Sequence, residues 1–228
     1  MTIEVRALCN FDKVLLRGPG ILTISQGDHE CLTLQAPRCA IGQLQTVVVD
    51  GELQLGCVPQ QAPGAVIPLQ LHREVITYDL QVRSLARLRL TGTGRAVLPD
   101  MDTDRLLVQV LGGGQVRLDH LTADHLEVLI DGRGKVRVNG DVETQQVCVR
   151  GAGDYHALAL TCDFADLRVT DAGRAAVAVN EILNVVISGH GAVSYAGNPD
   201  ITQVISGPGQ LQRRKSTGGA PKRGEEHG

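Results

Sequence analysis

With 228 residues, 43% of them hydrophobic, the chain is long enough to bury one sizeable core or two small ones. It has no Trp, two Phe and three Tyr, so that core must be aliphatic, and its 27 Gly call for a structural reason. A formal net charge of −3 gives no general case for a nucleic-acid or membrane partner, although residues 1–211 carry −6 and residues 212–228 carry +3.

Met1-Thr-Ile-Glu-Val-Arg6 leads directly into alternating sequence, with neither a basic n-region nor an apolar h-region. The expected location is therefore the cytoplasm, or the cell envelope or exterior if a leader was removed. No run approaches the roughly 18–20 apolar residues that span a bilayer. Val14-Leu-Leu16-Arg-Gly18-Pro-Gly20-Ile-Leu22-Thr-Ile24 alternates as a strand–bend–strand unit, and Val47–Leu55 alternates around the single Gly51. Gln35–Ala40 and Pro59–Gly64 are expected to be loops. Residues 1–85 are accordingly expected to form irregular N-terminal coils or a β cap of one domain.

From residue 86 to 211 the chain repeats. A Gly-x-Gly recurs as Gly92 and Gly94, Gly112 and Gly114, Gly132 and Gly134, Gly151 and Gly153, Gly189 and Gly191, Gly207 and Gly209, with Asp171-Ala-Gly173 filling the gap. The steps are 18–20 residues. Two residues before each first Gly position stand Leu90, Val110, Ile130, Val149, Val169, Ile187 and Ile205. Four before stand Leu88, Val108, Val128, Val147, Leu167 and Val185, the series failing at Gln203. Period-two alternation of β-branched and aliphatic residues is strand, not helix. A unit this short cannot own a core, but it fits one coil of a single right-handed parallel β-helix, a solenoid of about 18–20 residues per coil. Both Gly of each pair fall in the inward phase, which would let the wall bend sharply. Residues 212–228, with no apolar residue larger than Ala or Pro, are expected to be a disordered basic tail.

Phe11-Asp-Lys-Val14…Gly18-Pro-Gly20…Ile24-Ser-Gln-Gly27-Asp, Asp50-Gly-Glu-Leu53, the serial Gly-x-Gly turns and Val193-Ser-Tyr195-Ala-Gly197-Asn-Pro199…Gly207-Pro-Gly209 together resemble the head-GIN domain. This is a bacterial domain of unknown function often labelled a "putative auto-transporter adhesin". The resemblance runs from about residue 6 to 211. It implies a right-handed β-helix without established enzymatic activity.

No catalytic, cofactor or metal site is expected. Asp100, Asp102 and Asp104 begin like a calcium loop, but Arg105 and Leu111 stand where Gly and Glu would be needed, leaving an acidic corner loop. His120, Asp124 and His125 are expected at a surface corner. The six cysteines form no C-x-x-C pair and are expected to be free thiols. No outward row is expected to hold paired carboxylates, which argues against glycoside hydrolysis. Two outward rows invite binding. Arg95, Lys135 and Arg174, with Arg117, Arg137 and His156 beside them, form a basic stripe suited to an anionic glycan or other polyanion. Arg89, Gln109, Leu129, Cys148, Arg168, Val186 and Val204 form the other row, and its four apolar members, Leu129, Cys148, Val186 and Val204, suit lateral self-association. The expected role is a non-enzymatic scaffold that forms homo-oligomers, with a polyanion-binding module as the alternative.

Overall fold

The computed structural model describes residues 1–57 and 76–214. The regular part starts with β8 (Arg87–Gly92) and β9 (Arg95–Leu98), on either side of the first Gly-x-Gly turn. The strands β10 (Met101–Gly112), β11 (Gln115–Gly132), β12 (Lys135–Gly151) and β13 (Asp154–Asp171) each run most of the way round a coil. Above them lie β14 (Arg174–Val179), β15 (Ile182–Gly189), β16 (Ala192–Gly197), β17 (Asp200–Ser206) and β18 (Gln210–Arg213). All pairings among these strands are parallel, so the chain is a β-solenoid. β18 takes in Gln212 and Arg213, two residues past the expected end of the repeat. The rest of the expected tail, 215–228, lies outside the described residues.

Like residues stack on like. Leu90, Val110, Ile130, Val149, Val169 and Ile187 occupy one inward column in strict register, none more than 1% exposed. Neighbours in such a column stand about 4.8 Å apart, one coil rise. Each coil has a wall before the Gly turn, a second wall after it, and a short third wall that begins at Met101, Leu121, Gly140 and Leu160. The 19-residue coil is one residue short at this third corner. There the register slips between Leu118 and Leu121, and Gly140, at φ +130°, lies so close to the Leu121 carbonyl that a side chain would strike it.

The Gly pairs do not both point inward, contrary to the phase expectation. The first position turns through left-handed backbone, with φ between +88° and +118° at Gly92, Gly112, Gly132, Gly151, Gly189 and Gly207, and 61° at Asp171. That turn takes this one residue out of the alternation, which resumes in the same phase at the second position, and these first residues stay partly or fully exposed. Only the second position is inward. A Cβ on Gly134, for example, would stand 2.5 Å from Val110 Cγ1 of the coil below.

The N-terminal third is threaded out of order. β2 (Lys13–Arg17) lies parallel between β6 (Glu52–Cys57) and β8, and β3 (Ile21–Gln26) lies parallel between β7 (Thr77–Val82) and β9. The first coil in sequence is therefore flanked in space by two later ones. β4 (Cys31–Ala36) pairs antiparallel with β7, β1 (Thr2–Ala7) antiparallel with β4, and β5 (Leu44–Val49) antiparallel with β6 across the Asp50-Gly51 turn. Gln35–Ala40 is not a loop: Gln35 and Ala36 end β4, and Arg38–Ile41 form one helical turn. The expected loop Pro59–Gly64 lies outside the described residues. A single aliphatic core runs from Phe11 to Val193.

Candidate functional site

The second wall carries the basic stripe, and it is a groove. Register places Arg95, Gln115, Lys135, Asp154 and Arg174 in one outward column. Val97, Arg117, Arg137, His156 and Ala176 form the next. All six stripe residues expected from the sequence line one depression of about 690 Å³, joined by Arg214 from beyond β18. Successive coils thus offer Arg95, then Arg117, then Lys135 with Arg137, then His156, then Arg174, a cation or an imidazole on five coils in a row, whereas the next coil brings only Ala192, Val193 and Ser194. Arg117 is paired to Asp119, and Lys135 lies 4.0 Å from Asp154. Among the described residues, Arg95, Arg137, Arg174 and Arg214 have no carboxylate within ion-pair distance. Partial burial, and then the neighbouring Arg137 and Arg214, hold the His156 imidazole below its ordinary pKa.

The apolar row also points outward as expected. Leu129, Cys148, Arg168, Val186 and Val204 lie in register, the first two half-buried, Val186 41% and Val204 56% exposed. The row is not uniformly apolar, because Arg168 interrupts it and the Arg89 Nε donates to Gln109 Oε1 (2.9 Å) at its lower end.

Sequence reasoning missed a third feature. Asp104, Asp124, Glu143 and Asp163 share the corner between the third and first walls, since their neighbours on both sides are paired coil to coil. The Glu181 backbone N–H bonds the Asp163 carbonyl and continues the column. Asp102 and Asp141 flank it, and no cation lines the depression of about 320 Å³ that these groups share. The expectation that no outward row holds paired carboxylates is therefore wrong. These residues stand eight before each first Gly position, a constant offset that could have found them. Met101–Asp104 is accordingly strand and not a loop. Among the described residues no three of these groups converge to hold a metal ion; the carboxylates are strung along the axis.

The remaining candidates are structural. His125 Nδ1 is 3.0 Å from Thr144 Oγ1, while His120 is exposed on a different depression with Asn139 and Gly140. Cys9, Cys31, Cys148 and Cys162 are free thiols, and burial pushes the Cys162 thiol up and makes it inert. The side chains of Cys39 and Cys57 lie outside the described residues. Inside the solenoid, the Tyr155 hydroxyl donates to Gln145 Oε1 (2.9 Å), and both side chains are buried.

Comparison with known proteins agrees with this architecture. The structure is similar to that of a putative adhesin from Bacteroides fragilis, with a TM-score of 0.82 and 19% identity over 93% of this chain and 96% of the other. It is also similar to a putative lipid binding protein from Parabacteroides distasonis, with a TM-score of 0.73 and 19% identity over 94% and 96%. A putative adhesin from Parabacteroides merdae gives 0.73 at 17% identity over 94% and 96%. At such identities these likenesses speak for the fold alone. No curated protein matches the chain. The family profile described as "putative auto-transporter adhesin, head GIN domain" matches residues 10–199, and the chain belongs to that family.

Proposed function

We propose that the protein is a non-enzymatic, adhesin-like binding module whose second wall holds an anionic polymer, in the first instance an anionic glycan. One observation carries this reading: the groove offers a cation or imidazole on each of five successive coils, and four of its guanidinium groups lack a carboxylate partner among the described residues. A solenoid converts a repeat in sequence into a linear charge array, and a polymer with regularly spaced anions meets such an array without either partner reorganising.

Binding of heparin, a sulfated glycan, tests it. Reversing Arg117, Lys135 and Arg137 to Glu is expected to weaken binding at least about tenfold, and raising salt from about 50 to about 200 mM to weaken the native protein by a similar factor. Heparin binding that ignores both changes would count against the groove. His156 adds a sign. A bound polyanion offsets the field of Arg137 and Arg214 and favours the protonated imidazole, so affinity is expected to rise as pH falls. His156→Ala should flatten that rise.

The exposure of Val186 and Val204 supports a second reading, in which copies associate laterally through the Leu129, Cys148, Val186 and Val204 face. Leu129→Glu with Val186→Glu should then reduce a concentration-dependent oligomer without unfolding the coil.

A further inference from the structure

The groove gathers cations from several coils of one wall, and the same molecule carries a column of carboxylates that repeats at the coil rise. Asp104, Asp124, Glu143 and Asp163, with Glu181 continuing them, repeat coil by coil at the corner between the third and first walls. The corner and the groove are cut from the same coils, so both repeat at about 4.8 Å. Asp104, Asp124 and Glu143 are exposed, and among the described residues none of the five carboxylates has a cation within ion-pair distance. Like charges held at this spacing repel, and counter-charges at matched spacing relieve that repulsion along the whole column.

We propose that a second copy of this chain occupies the groove, its carboxylate column lying along the cations of the second wall so that the two solenoids pack side by side. The proposal rests on reading the groove as a polyanion site and names one partner for it. Both surfaces are built on the same coil spacing, so the fit is spread over several residue pairs. Both partners are rigid walls, so little conformational entropy is lost when they meet. Groove and corner lie on different sides of one molecule. The contact is therefore heterologous, and each copy that docks leaves one free groove and one free corner.

Sedimentation velocity on the full chain tests this with two charge-reversed variants at exposed positions, D124K/E143K on the corner and R137E/R174E in the groove. The native chain is expected to associate at about 50 mM salt, with a dissociation constant at least about tenfold higher at about 200 mM. Each variant alone should be monomeric. Mixed in equal amounts they should associate again, since the mixture retains one intact groove and one intact corner. A native chain that stays monomeric at low salt, a mixture that stays monomeric, or association that survives in either variant would overturn the proposal. Heparin separates the two readings. D124K/E143K should bind it as the native chain does, so heparin binding without self-association removes the second copy and leaves the groove. Self-association that R137E/R174E abolishes, without heparin binding, would remove the glycan and leave the second copy as the occupant of the groove.

Discussion

The two ends of the solenoid are finished differently. At the N-terminal end the last strands run antiparallel, and the interior side of β1 presents Thr2, Glu4 and Arg6 rather than aliphatics. The Arg6 guanidinium donates to Thr46 Oγ1 and pairs with Glu4 at 2.9 Å, and that hydrogen bond holds the Glu4 carboxyl below its ordinary pKa. At the C-terminal end β17 and β18 simply continue the parallel columns. Ile201 and Ile205 are each 39% exposed, whereas Leu183 and Ile187 directly beneath them are fully buried. Gln203 and Arg213 take the positions that Val185 and Tyr195 hold one coil lower. A coil is stable because it is covered on both sides, so identical side chains do different work in the middle and at an end.

The sharpest way to break this contrast is one substitution made twice in one column. Ile187→Ala should cost about 2–5 kcal/mol in urea unfolding, and Ile205→Ala under about 1 kcal/mol. Equal costs would mean that the last coil is covered in solution. Polar residues give the same contrast at smaller size. Tyr155→Phe leaves the buried Gln145 without its donor and should cost about 1–2 kcal/mol, much of it recovered by adding Gln145→Leu, while Gln203→Ala should be neutral to within about 0.5 kcal/mol. The smallest effect is expected at the polar end. The Glu4 carboxyl is fully exposed and its pKa is lowered in the folded state, so its contribution is present above the ordinary carboxylate range and fades as pH falls through the folded value. Thermal melts of Glu4→Gln should differ from the native protein near neutral pH and converge with it in acid.

What the sequence made legible follows from the same geometry. In the regular part each inward residue is repeated at a constant offset from a Gly turn, so the columns through Leu90 and Leu88 follow from counting residues alone. The basic stripe and the apolar row came from the same offsets and lie where expected. The carboxylate column was equally periodic. It escaped because it sits at a corner, where alternation gives no sign of which way a side chain faces. The first Gly of each pair was placed on the wrong side because left-handed backbone turns that one residue outward while the alternation resumes in phase beyond it, which a count of alternating residues cannot register. The threading of β2 and β3 between later strands was not readable at all. Alternation shows that a strand has a buried face, but the identity of its neighbour is a non-local matter. Asp50-Gly51, by contrast, carried an ordinary hairpin signal that the solenoid pattern overshadowed.

The central functional claim is that the second wall acts as a linear array to which several coils contribute charge. The salt dependence of heparin affinity tests it most directly, measured for the native chain, for Arg137→Gln, for Arg174→Gln and for the pair. Each neutralisation should lower the slope of log affinity against log salt by a similar step, just under one unit, with the double variant close to the sum. A slope unchanged by either substitution, or lost entirely with one of them, would contradict an array and point to binding elsewhere or at a single locus.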